Sequence, residues 1–89
     1  MAHLPQLTAA RRSDGTPDFF GQFRLVKPRF DAADLVVVNL ETTLSAAAPH
    51  TGYPCFRTPS SLARALRRAG VDVAVTANNH CCDGGARGI

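Results

Sequence analysis

The sequence has no tryptophan, one tyrosine and one methionine, and only 7% of its residues are aromatic. Aromatic side chains bury the largest apolar areas, so a core here must rest on small aliphatic residues and five phenylalanines. Long apolar runs are also missing. The longest informative one is Leu35–Val38, far short of the ~18–20 residues that span a bilayer. Met1-Ala2-His3-Leu4-Pro5-Gln6 has no charged region followed by an apolar one, so no secretory signal is predicted. Cysteine is scarce and odd in number, at three residues, which argues against a disulfide framework. Cys81 and Cys82 are neighbours with Cα atoms ~3.8 Å apart across a trans peptide. That is below the usual disulfide window, so a bond between them would be strained. Cys55 is left to pair with either in an oxidising compartment. A length of 89 residues excludes a two-domain enzyme. So short a chain also buries a smaller share of its surface than a larger domain does. It reads as part of a fold.

What is present is a globular balance. The chain is 45% hydrophobic and 19% charged, which excludes a disordered polypeptide. Ten Lys and Arg against seven Asp and Glu give a formal charge of +3. Apart from Arg11-Arg12, the basic residues group only at Arg64, Arg67 and Arg68, on one helical face by their i, i+3, i+4 spacing. A solvated helix face accounts for them. No nucleic-acid-binding signature accompanies them, so no nucleic-acid partner is expected.

Residues 3–12 read as weakly helical, with Leu4, Leu7 and Ala10 at threefold spacing. Ser13–Asp18 is a loop by its residue chemistry. Phe20, Phe23, Val26 and Phe30 fall near helical spacing, and Pro28 should leave that helix short, kinked or ended near Lys27. Leu35-Val36-Val37-Val38 is β-branched and apolar on both faces, which suits a central parallel strand covered on both sides. Residues 45–58, with Pro49, Gly52 and Pro54, read as a loop. Thr58 suits the N-cap and Pro59 the first position of a helix. Its stripe is Leu62, Ala65, Leu66 and Ala69, and Gly70 ends it. Val71–Thr76 follows as a second strand. This order predicts an α/β fold built on a right-handed βαβ unit with parallel strands. Two parallel strands are not an independently stable sheet, so the unit is expected to be incomplete.

In such sheets, ligands gather beyond the carboxyl ends of the strands. Asn39 and Glu41 follow the first strand, and Asn79 and His80 the second. Asn39 and Glu41 are two apart and point to the same side of an extended backbone. Carboxamide oxygens, a carboxylate and an imidazole suit a hard or borderline divalent cation such as Mn²⁺, Mg²⁺ or Fe²⁺. Alternatively, His80 acts as a general acid on a leaving-group oxygen. Each residue also has a plain structural explanation, as a turn asparagine or a solvated strand-end glutamate. Cys55, Cys81, Cys82 and His80, with His50 at a distance, offer zinc-type ligands without the usual paired cysteine spacing. Buried small hydrophobes are the simpler role for Cys81 and Cys82.

The stretch Ala33-Asp34-Leu35-Val36-Val37-Val38-Asn39-Leu40-Glu41-Thr42-Thr43-Leu44 resembles a segment of the capsule-synthesis CapA family, the poly-γ-glutamate capsule proteins. So do Tyr53-Pro54-Cys55-Phe56-Arg57-Thr58-Pro59, Ala69–Val73, Thr76-Ala77-Asn78-Asn79-His80 and Asp83. The likeness runs over most of residues 19–89, within a partial domain taken as 1–89. It implies a calcineurin-like metallophosphatase fold, an α/β/β/α sandwich of which the βαβ unit is a portion. It also implies that Asn79 is a metal ligand, with His80 its catalytic companion at the scissile phosphate. Glu41, with Asn39, stands where a second strand-end motif supplies a metal ligand, and His3 becomes an additional site residue. The family's opening strand with its Gly-Asp ligand motif would lie before residue 1, and its later His motifs beyond residue 89.

The resemblance implies an intact domain that binds divalent Mn, Mg or Fe ions and hydrolyses a phosphate or related ester. Its partners would be a small-molecule or polymer substrate of capsule synthesis and a membrane-associated synthesis complex, at the bacterial envelope. Two other readings stand beside it: a non-catalytic capsule or cell-surface assembly component, and a small zinc module on Cys55, His80, Cys81 and Cys82. The 89-residue chain alone is expected to be catalytically inert. Metal-dependent hydrolysis of p-nitrophenyl phosphate by this chain, abolished by Asn79→Ala, would contradict that.

Overall fold

A computed structural model describes residues 1–89. Its elements, in order, are α1 (Leu4–Ala10), α2 (Phe20–Phe23), α3 (Lys27–Asp31), β1 (Val37–Asn39), β2 (Thr43–Ser45), β3 (Arg57–Pro59), α4 (Ser61–Ala69) and β4 (Val73–Val75). A short 3-10 turn follows at Gly85–Arg87. The βαβ expectation holds: β1 and β4 pair in parallel, with Val37 opposite Val73 and Asn39 opposite Val75. Asp72 seats the first rung. Its carboxylate accepts the Val36 N–H at 2.9 Å, while the Val36 carbonyl accepts the N–H groups of Asp72 and Val73 at 3.0 and 3.1 Å.

Four sequence expectations are corrected. The stretch read as a loop is flanked by a second parallel pair, β2 with β3, in the register Thr43–Arg57, Leu44–Thr58 and Ser45–Pro59. Buried threonines hold it: the Thr42 and Thr58 hydroxyls meet at 2.8 Å, and Thr43 Oγ1 donates to the Phe56 carbonyl at 2.9 Å. Thr58 and Pro59 therefore belong to β3, and Ser60 takes the N-cap position of α4. Pro28 does not end a helix; it sits in the first turn of α3, where a missing N–H goes unnoticed. Finally, the β1–β4 sheet is not covered on both faces: Val37, Val73 and Val75 are 52%, 45% and 43% exposed.

The apolar side of α4 behaves as its spacing requires. Leu62, Ala65 and Ala69 are buried, and Gly70 closes the helix at φ +106°, a conformation that a Cβ would oppose. The core lies between helices rather than between sheet layers: Ala10 of α1, Phe19 before α2, and Leu62 and Ala65 of α4 pack together. The Arg68 guanidinium stands 3.8 Å from the Phe20 ring centroid, a cation–π contact that ties α4 to α2. No helix is long and apolar enough to cross a membrane.

The molecule is a slab of 35 × 34 × 18 Å. Its surface of 5988 Å² compares with about 5,050 Å² for a compact monomer of this mass by the usual area–mass scaling. The uncovered sheet contributes to the excess, together with exposed Leu25, Tyr53 and Ile89. Phe56 is the largest side chain with no exposure at all. Truncating a buried phenylalanine typically costs about 3–5 kcal/mol, a large share of the stability of any small domain. Phe56→Ala should therefore abolish the folded far-UV and near-UV circular dichroism at 25 °C, whereas Leu25→Ala, at an 86% exposed position, should leave both unchanged.

Candidate functional site

Parallel pairing brings both strand ends to one edge of the β1–β4 sheet. After the last rung, the Leu40 N–H still donates to the Val75 carbonyl at 2.8 Å. Beyond it the two polar clusters meet through Asn78. Its Nδ2 donates to Asn39 Oδ1 at 3.0 Å and to the Leu40 carbonyl at 3.2 Å, and its Oδ1 accepts the His80 N–H at 3.0 Å. Asn78 thus fastens the end of β1 to the loop after β4. Sequence reasoning placed the clusters together but did not single out the residue that joins them.

His80 is held from two sides. Its Nδ1 lies 2.8 Å from Asp83 Oδ2, and the same carboxylate oxygen accepts the Phe56 N–H at 2.6 Å. Above all the Phe56 N–H, and after it His80, hold the Asp83 carboxyl below its ordinary value. Ionised, it can only accept hydrogen bonds, so Nδ1 carries the proton and Nε2 is the nitrogen left for other work. The His80 ring also meets the Phe56 ring edge-on, with centroids 4.8 Å apart. His3 meets Phe56 in the same way at 4.9 Å, so three rings far apart in sequence share one junction. Asp83 carried no role of its own in the sequence reading. Its spacing of three from His80, in a glycine-bounded turn, was the available signal.

The other predicted residues are placed less tightly. Asn39 is exposed, and its carboxamide oxygen is engaged by Asn78. Glu41 is half-buried and lines a cavity of about 250 Å³ with Asn39, Phe19 and Leu62. Asn79 is exposed. Nowhere do three His, Cys, Asp or Glu side chains come together so as to hold a metal ion. One carboxylate and carboxamide oxygens, one of them already bonded, do not make a closed set for a divalent cation that takes six or more oxygens. The residues of this chain do not by themselves fit a resident metal. The same finding removes the zinc module: Cys55, His80, Cys81 and Cys82 do not assemble into a ligand cluster.

The family model for bacterial capsule synthesis protein PGA_cap matches residues 1–89. No curated protein and no solved structure matches the chain.

The Asp83 interactions have a definite pH signature. The folded-state pKa lies below the unfolded one, so their contribution is complete above the ordinary Asp value of about 4 and is lost as pH falls through the lower folded value. In urea denaturation at a series of pH values, wild type should be more stable than Asp83→Asn at pH 7. The two should converge in acid, and a gap that persists unchanged to pH 2 would contradict the assignment.

Proposed function

Because the chain belongs to the PGA_cap family of bacterial capsule synthesis proteins, we propose that its strand-end edge is one wall of a hydrolytic site for a phosphate or related ester of capsule-polymer synthesis. The observation that carries this is the His80–Asp83 pair, seated on the fully buried Phe56. A carboxylate on Nδ1 fixes the imidazole tautomer and orientation and steadies the imidazolium, as a proton-transfer group requires. In the imidazolium form His80 hands the Nε2 proton to the leaving-group oxygen. In the neutral form the same nitrogen receives one. Asn78 keeps the His80 backbone against the end of β1, so the proton donor rests on the sheet edge rather than on a free loop.

Asn39, Glu41 and Asn79 stand on that edge and are the oxygens this chain could lend to a divalent Mn, Mg or Fe ion. They do not close a site, and the roles of His80 and Asp83 stand without it. The substrate is a small molecule or polymer of the capsule pathway, handled within a membrane-associated synthesis complex. A second reading, a capsule-assembly component without hydrolysis, is favoured by the absence of any three-residue metal-ligand cluster.

The test uses a family-length protein that includes this stretch, assayed with p-nitrophenyl phosphate with and without Mn²⁺. Hydrolysis is expected, with kcat reduced about 10²–10⁴-fold in His80→Ala, the usual worth of a general acid–base group. Asp83→Asn should lower kcat with little change in KM, and should shift the pH profile. Folded protein without hydrolysis would favour the assembly reading.

A further inference from the structure

Cys81 and Cys82 lie in the turn between His80 and Asp83, and their thiols face each other with Sγ atoms 3.6 Å apart. Cys82 is exposed and Cys81 half-buried, and both are free. Two thiolates bound at ~2.3 Å to a tetrahedral ion stand about 3.8 Å apart, so the pair is already spaced to grip one soft atom. A disulfide between neighbouring residues is strained, which leaves chelation as the favourable bidentate chemistry of this pair. Cys55, though exposed, has no such partner thiol.

We infer that Cys81 and Cys82 form a chelating site for a thiophilic centre that needs only two sulfurs, of the class of trivalent organoarsenicals. The site is independent of the hydrolytic reading of the strand-end edge. Soft thiolate donors select such centres over hard ones, and the loop supplies both sulfurs without a change of fold. The Cys82 thiol is pushed up, chiefly by its hydrogen bond with Cys81 and in lesser part by Asp83, so capture displaces a proton. With phenylarsine oxide the balance is simple. Two As–S bonds form, the arsenic–oxygen bond is lost, and the oxide oxygen leaves as water with both thiol protons. Arsenic stays trivalent, and no oxidant or reductant is needed.

The test is native mass spectrometry of the reduced 89-residue chain with one equivalent of phenylarsine oxide, beside circular dichroism. One phenylarsenic per chain is expected, with loss of one water, retained in excess monothiol and released by a dithiol. Cys55→Ser should behave as wild type, whereas Cys81→Ser and Cys82→Ser should each lose the adduct. No adduct on wild type, or an adduct that persists in either single variant, would overturn the assignment. So would a collapse of the folded spectrum on binding, since the inference is that the folded turn holds both sulfurs.

Discussion

The hydrogen bond from the Phe56 backbone to Asp83 joins parts of the chain that are 27 residues apart. Phe56 immediately precedes β3, and Asp83 closes the loop after β4, so one bond couples the two small parallel sheets. The Phe56 carbonyl works in the opposite direction and accepts from both the N–H and the hydroxyl of Thr43. Its ring meanwhile fills the space between His3 and His80. Removing water from that ring is what strengthens the polar bonds around it. The site and the core are therefore not separate layers here, and the same residue builds both.

Such economy follows from composition. With no tryptophan and one methionine, the chain has few large side chains to place between helix and sheet. Its apolar cluster forms among short helices and alanines, and its sheets stay two strands wide. Polar side chains take over work that packing does elsewhere: Asp72 seats β1, paired threonines seat β2 on β3, and Asn78 seats the loop after β4. Each of these bonds closes a long stretch of chain, and each satisfies a backbone or hydroxyl group that would otherwise be left unpaired.

The readable parts of the sequence were those set by periodicity and topology. The stripe of Leu62, Ala65, Leu66 and Ala69 marked the face of α4, and the Leu35–Val38 and Val71–Thr76 runs marked a parallel pair. With both strand ends on one edge, the meeting of the Asn39 and His80 neighbourhoods followed. Short-range signals misled where a distant partner decided the outcome. Thr58-Pro59 has the chemistry of a helix start, but the Thr42 hydroxyl and the β2 backbone draw it into a strand. The role of Asp83 was hidden for the same reason, because it depends on the N–H of Phe56, and no local pattern announces that. The motif reading covered most of residues 19–89, and the family model matches residues 1–89.

The open sheet has one more consequence. β1 and β4 each keep an outer edge with unpaired backbone groups, and their valines face solvent. An edge of this kind is a template for another strand, and whatever covers it binds the folded state and not the unfolded one. By mass action, folding of this chain is then linked to association. A strand that paired there would add its own binding energy to that of the chain's core, and would raise the melting temperature as its concentration rose.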